Sequence, residues 1–299
     1  MKIMAHAQLF PAYHTFDIAT SGTTIHGVTG GSGPPLLLLH GYPQTHALWH
    51  KMAALLQDRY TIVAADLRGY GDSGKPATTP DHAPYSKRAM ARDMAEVMTA
   101  LGHQRFFVCG HDRGGRVAHR LALDHSERVA RIAVLDIAPT REMYRGTTDA
   151  FARAYAHWFY LIEAAPFPER MIGANAEEYW RKKCGSGSAG LNAFAPEALA
   201  EYLRCFVKPE TIHATCEDYR AAATIDIRHD NDDGARGVSA PLLVLWGRNG
   251  VIDRCFDCLA LWRERAVDVR GEALPGGHYL AEELPEMVAE HLSRFMVGH

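Results

Sequence analysis

The sequence predicts an α/β fold: a mostly parallel sheet with helices on both faces and an inserted helical cap. Three observations carry this. Short, wholly apolar runs alternate with helical stretches through the first half of the chain, the pattern of a sheet built from βαβ units. The alternation stops near Arg141, gives way to a helical, aromatic-rich stretch, and returns at Leu242. The 299 residues suffice for one large core carrying an insertion. The expected division is a core of residues 1–140 and 238–299, with a cap over 141–237.

The first strands are weak, roughly Phe10–Asp17 and Thr24–Thr29. Gly30-Gly31-Ser32-Gly33-Pro34-Pro35 follows as a turn; it precedes a strand, whereas a phosphate loop would lead into a helix. Leu36–Leu39 and Thr61–Ala65 are short apolar strands covered on both faces. A helix over Lys87–Leu101 places Met90, Met94, Val97, Met98 and Leu101 on one buried stripe. Phe106–Cys109 is the next strand; Gly110 to Gly114 turns it into a helix reaching His125, and Arg131–Leu135 follows. After the cap come a strand at Leu242–Leu245, a helix near Phe256–Arg265, a strand near Val267–Gly271 and a helix from about Leu284 to Phe295.

Composition narrows the class. Apolar residues make up 47% and charged residues 22%, ordinary values for a soluble domain. A net charge of −3 disfavours nucleic acid as a partner. No apolar run is long enough to span a membrane, and Met1 to Phe16 shows no secretory signal. Six cysteines are too few for a disulfide scaffold, so a reduced, cytoplasmic setting fits. Cys255 and Cys258 read as two thiols one turn apart on a helix, since no second ligand pair accompanies them.

Sites in open parallel sheets form at the carboxyl ends of strands. Gly110-His111-Asp112-Arg113-Gly114 ends one strand and opens a helix with the small-x-nucleophile-x-small pattern of a nucleophile elbow. The central residue is Asp112. A serine that displaced a leaving group from saturated carbon would give an ether, which water does not readily cleave. A carboxylate gives an ester, which water opens at the carbonyl. Asp112 thus predicts covalent catalysis at an sp3 carbon, with carbon–halogen bonds and epoxides as the two electrophiles.

His278, after Pro275-Gly276-Gly277 and before the last helix, is the expected base that activates water. Its orienting acid is Asp136, directly at a strand end, or Asp253, which alternatively caps the following helix. The backbone N–H groups of Tyr42 and Arg113 occupy the positions of an oxyanion hole. Arg113 and Arg116 share a face at the start of the elbow helix and suit a carboxylate, unless they pair with Asp66 or Asp136.

These residues resemble the α/β-hydrolase-fold haloacetate dehalogenases, specifically the fluoroacetate dehalogenase group, over almost the whole chain. The anchors are His40 to Thr45, Asp66 to Gly71, Lys87 to Met90, Gly110 to Gly114, Val134 to Ile137 and Gly277-His278. In the cap they are His157-Trp158 and Cys216 to Arg220. Arg after the elbow Asp is specific, because the related haloalkane dehalogenases and epoxide hydrolases usually carry Trp there.

The resemblance implies that Asp112 is the nucleophile, His278 the base, Asp136 its partner, and Arg113 and Arg116 the holders of the substrate carboxylate. It further implies that His157, Trp158 and Tyr219 donate hydrogen bonds to the leaving halide, and that the protein is a homodimer. The expected substrate is a small anionic haloacid, with no metal or organic cofactor required. Departures from the family are Tyr42 in place of Phe, Gly115 in place of Ala, and a flexible Cys184–Gly190 stretch. The main rival is an epoxide hydrolase, which needs two cap tyrosines: Tyr219 with Tyr155, Tyr179 or Tyr202.

Overall fold

Apolar strands flanked by amphipathic helices assemble into one eight-stranded sheet with helices on both faces. The computed structural model describes residues 8–186 and 189–297. The strands are β1 (His14–Ala19), β2 (Thr24–Gly31), β3 (Pro35–Leu39), β4 (Thr61–Ala65), β5 (Phe106–His111), β6 (Val129–Leu135), β7 (Leu242–Gly247) and β8 (Val269–Leu274). Their order is β1-β2-β4-β3-β5-β6-β7-β8. β2 pairs antiparallel with β1 and β4, and every pairing from β4 to β8 is parallel. Leu36 to Leu39 are fully buried because β3 lies between β4 and β5 with both faces covered.

The helices of the sheet region are α1 (His50–Leu56), α2 (Lys87–Ala100) and α3 (Arg113–Asp124). Between β6 and β7 come α4 (Thr140–Arg145), α5 (Asp149–Ala154), α6 (Ala156–Tyr160), α7 (Phe167–Gly173), α8 (Ala176–Gly185), α9 (Pro196–Phe206), α10 (Pro209–Ala223) and α11 (Ile225–Asp232). Local signals start several of them. Proline opens α9 and α10, where its missing N–H costs nothing. The side chains of Thr148 and Asn175 accept the amides of Phe151 and Glu178 at the starts of α5 and α8. After β7 come α12 (Val251–Cys255), α13 (Cys258–Arg263), α14 (Leu280–Glu283) and α15 (Pro285–Val297).

The structure corrects the sequence reading at the edges. Phe10 to Tyr13 is a turn closed by Tyr13 N–H on the Phe10 carbonyl, so β1 starts only at His14. β2 runs on through Gly30 and Gly31. The helix expected over Phe256–Arg265 starts only at Cys258, and a separate short helix, Val251–Cys255, precedes it. Phe256 is extended, and the Asp257 carboxylate caps α13 by accepting the Ala260 amide at 3.0 Å. Cys255 and Cys258 therefore lie on different helices. β8 begins at Val269, while Val267 is exposed. Within Cys184–Gly190, Gly187 and Ser188 lie outside the described residues; Cys184 is buried in α8.

Candidate active site

The site is built from the carboxyl ends of β3, β5, β6 and the loop after β8. Asp112 sits between β5 and α3 with φ 46° and ψ −115°, a backbone conformation that non-glycine residues rarely hold. The turn is tight enough to demand glycine on both sides. A Cβ on Gly110 would stand 2.3 Å from the Gly114 carbonyl oxygen, and one on Gly114 2.2 Å from that of Leu39. The result aims a buried carboxylate into the space above the sheet edge; Asp112 is 4% exposed. Its Oδ2 accepts the Tyr42 amide at 3.1 Å. Burial alone would raise the Asp112 pKa, but His278, Arg116, His111 and Arg113 outweigh it and hold the carboxyl well below the usual range.

The loop after β8 brings His278 to the same edge. Its Nδ1 lies 2.6 Å from Asp136 Oδ2, and Asp136 Oδ1 accepts the Gly247 amide at 2.9 Å. Asp136 directly follows β6 with φ 53°. Burial raises its pKa, against the His278 and Gly247 hydrogen bonds. Asp253 instead lies in α12 and accepts the Trp246 indole N–H at 2.7 Å. The His278 carbonyl lies 2.8 Å from His111 Nε2.

Arg113 and Arg116 are both buried, at 0% and 3% exposure. Neither pairs with Asp66 or Asp136. Arg113 donates Nε and Nη2 to the Asp218 carboxylate, at 2.8 and 2.6 Å. Its Nη1 has no hydrogen-bond partner. Arg116 donates Nη1 to the Ala138 carbonyl and Thr140 hydroxyl, while its Nε has no partner. The cap aromatics close over these cations. The Arg113 guanidinium lies 4.2 Å from the Tyr219 ring centre, and that of Arg116 4.8 Å from the Trp158 ring. Trp158 Nε1 and the Tyr219 hydroxyl are likewise buried without partners. His157 stacks on Tyr42, with ring centres 6.2 Å apart. Burial keeps its imidazole strongly biased to the neutral form.

Asp218 is the site residue the sequence reading missed. It accepts from Arg113, Lys87 and the Tyr70 hydroxyl, the last at 2.6 Å. It thereby ties α10 to α2, α3 and the loop after β4. The burial of α10, which obliges such a charge to find a partner, is visible only in the structure. Burial opposes its charge, but Arg113 and Lys87 keep its pKa far below the ordinary value. A cleft of about 490 Å³ leads inward past Arg153, Tyr155, His157, Lys183, Arg254 and His278. Among the other cap tyrosines, Tyr179 receives the Tyr42 hydroxyl at 3.0 Å and Tyr202 donates to Glu282 at 2.5 Å. Tyr155 packs edge-on to His278, with ring centres 6.4 Å apart. Among the described residues, no group of three or more His, Cys, Asp or Glu side chains could hold a metal ion.

The sheet order, the strained elbow and the helices between β6 and β7 define an α/β hydrolase whose elbow carries aspartate. The chain matches the alpha/beta hydrolase fold family over residues 34–264. It is 45% identical to the fluoroacetate dehalogenase of a Burkholderia species, over 96% of this chain and 95% of that protein. It is 32% identical to the soluble epoxide hydrolase of Corynebacterium sp. (strain C12), over 92% and 94%. A crystal structure of an alpha/beta hydrolase from Nostoc sp PCC 7120 superposes with a TM-score of 0.94 at 56% identity, covering 97% of this chain and all of that one. The chain belongs to the α/β-hydrolase-fold haloacetate dehalogenases.

Proposed function

We propose that the protein hydrolyses the carbon–halogen bond of a short 2-haloacid, such as fluoroacetate or chloroacetate, through an ester on Asp112. The observation that carries this is a pair of buried guanidinium groups beside the Asp112 carboxylate, each with one unpartnered nitrogen. A buried donor left unpaired costs about 1–3 kcal/mol, more when charged. A substrate carboxylate held by Arg113 Nη1 and Arg116 Nε removes that cost for both. A neutral epoxide does not, and Tyr202 already donates its hydroxyl to Glu282.

The steps follow from the geometry. Asp112 Oδ2 rests on the Tyr42 amide, which leaves Oδ1 to attack the α-carbon. The carbon–halogen bond breaks as the carbon–oxygen bond forms, and the halide departs with the bonding pair. Trp158 Nε1 and the Tyr219 hydroxyl, both buried without partners, stabilise that developing charge together with His157. His278, oriented by Asp136, then takes a proton from water, and the hydroxide adds to the Asp112 carbonyl carbon. The Tyr42 and Arg113 amides stabilise the oxyanion. Collapse breaks the acyl–oxygen bond, the alkoxide takes the proton from His278, and glycolate leaves. Asp112 returns to its carboxylate form by losing a proton. The scheme calls for no cofactor.

The same reading places the enzyme in the cytoplasm as a homodimer. The six cysteines are unbridged, which suits a reducing compartment, and no described helix is long and apolar enough to cross a membrane. Sedimentation of the purified protein tests the dimer. The reaction is tested by a halide-release screen with fluoroacetate, chloroacetate and a styrene-type epoxide. Halide from either acid with no diol from the epoxide is the expected outcome; diol without halide overturns it.

A further inference from the structure

His278 is held from both sides of the backbone. Its carbonyl lies 2.8 Å from His111 Nε2, and its ring is fixed by Asp136. The two amides that flank it point the other way. Gly277 N–H donates to one oxygen of the Glu283 carboxylate at 2.7 Å, and Tyr279 N–H donates to the other at 3.1 Å. Glu283 ends the single turn of α14, and its own amide donates back to the Tyr279 carbonyl at 2.9 Å. Asn249 N–H reaches the Gly276 carbonyl at 3.0 Å, so the segment is pinned one residue earlier as well. A charged acceptor spanning residues 277 and 279 fixes the direction in which residue 278 leaves the chain. Hydrogen bonds to a carboxylate are about twice as strong as neutral ones.

We infer that Glu283 is a positioning residue for the ester-hydrolysis half of the reaction: its carboxylate clamps the amides on either side of His278 and so sets where the imidazole meets the attacking water. The inference rests on the two-step scheme proposed above. It also separates the two halves of that scheme. The displacement by Asp112 uses Arg113, Arg116 and the cap donors, none of which Glu283 touches through these bonds. Only the second step passes through His278. Loosening the loop therefore leaves the first step intact and slows the second. A misplacement of about 1 Å in a catalytic group costs about 100-fold in rate.

The experiment compares wild type, Glu283→Ala, Glu283→Gln and His278→Asn, each mixed rapidly with chloroacetate, reading released chloride and intact-protein mass. Glu283→Ala is expected to release about one equivalent of chloride per site at the wild-type rate. A steady state about 10- to 100-fold slower than wild type then follows, with protein heavier by one carboxymethyl group. Glu283→Gln retains one acceptor oxygen and falls between the two. A fold defect alone would shrink the burst and the steady state together, with no adduct; that pattern overturns the inference. So does wild-type turnover in Glu283→Ala while His278→Asn accumulates the adduct. If His278→Asn itself forms no adduct, the two-step scheme fails, independently of Glu283.

Discussion

Asp218 is the most exposed point of the account to measurement, although it is among the least exposed atoms of the protein. Arg113 and Lys87 both converge on its carboxylate, and Asp226 lies 3.5 Å from the Lys87 ammonium. Side-chain exposure is 0% for Arg113 and Asp218 and 4% for Lys87. Two cations thus face two carboxylates away from water. Asp218→Asn keeps the shape and the Tyr70 contact but strands one positive charge. Removing one partner of a buried ion pair destabilises by about 3–5 kcal/mol. Denaturant unfolding followed by tryptophan fluorescence should register a loss of this size. Adding Lys87→Met removes the stranded cation. The loss in the double variant should then fall short of the sum of the two single losses by at least about 1 kcal/mol. A loss below about 1 kcal/mol for Asp218→Asn, the range of a surface pair, would refute the reasoning. So would strict additivity.

Replacing Arg116 by Leu removes one charged donor and is expected to raise the apparent KM for chloroacetate roughly 10- to 100-fold; an unchanged KM assigns that arginine to structure alone. Trp158→Phe keeps the ring over Arg116 but deletes the indole N–H, and should lower kcat by about 100-fold on fluoroacetate and less on chloroacetate, because fluoride accepts hydrogen bonds more strongly. Equal losses on both acids contradict that role. Glu282 is fully buried; burial, against Tyr202 and Lys51, pushes its pKa from 4.5 up to about 7. The folded state then keeps a proton that the unfolded chain releases. Its contribution is complete below the unfolded value and is lost as pH rises toward about 7, a change of roughly 3 kcal/mol. Glu282→Gln should flatten that decline in melts compared at about pH 5 and about pH 8; an unaltered slope rules the carboxyl out as its source.

How much of this was legible in the sequence depended on range. The buried strands were, because Leu36–Leu39 and Thr61–Ala65 are apolar runs bounded by turns, and burial on both faces leaves no other pattern. Edges were not: β8 alternates half-exposed and exposed positions, so its apolar signal fades and its start was placed two residues early. The break at Phe256-Asp257 was hidden because a helix cap and a helix-interior acid look alike until the backbone is seen. At the site, Asp112 was readable from the glycines on either side and His278 from its place before the last helix. The partner of Arg113 was not. Asp66 and Asp136 lay at strand ends where a partner was expected, yet Asp66 bonds His46 and Asp136 bonds His278. Asp218 comes from a cap helix 105 positions away, and no local periodicity says which face of a cap meets the core. Glu283 escaped for the converse reason. Its partners are backbone amides, which carry no residue identity to read.

Oxygen bookkeeping goes to the centre of the account. One turnover of enzyme in excess over chloroacetate, in water enriched in heavy oxygen, is analysed by mass spectrometry of both the glycolate and the peptide containing Asp112. Attack through the aspartate predicts unlabelled glycolate and one heavy oxygen in that peptide. Heavy glycolate with an unlabelled peptide would mean that water displaces the halide directly, and the aspartyl ester would have no place in the reaction.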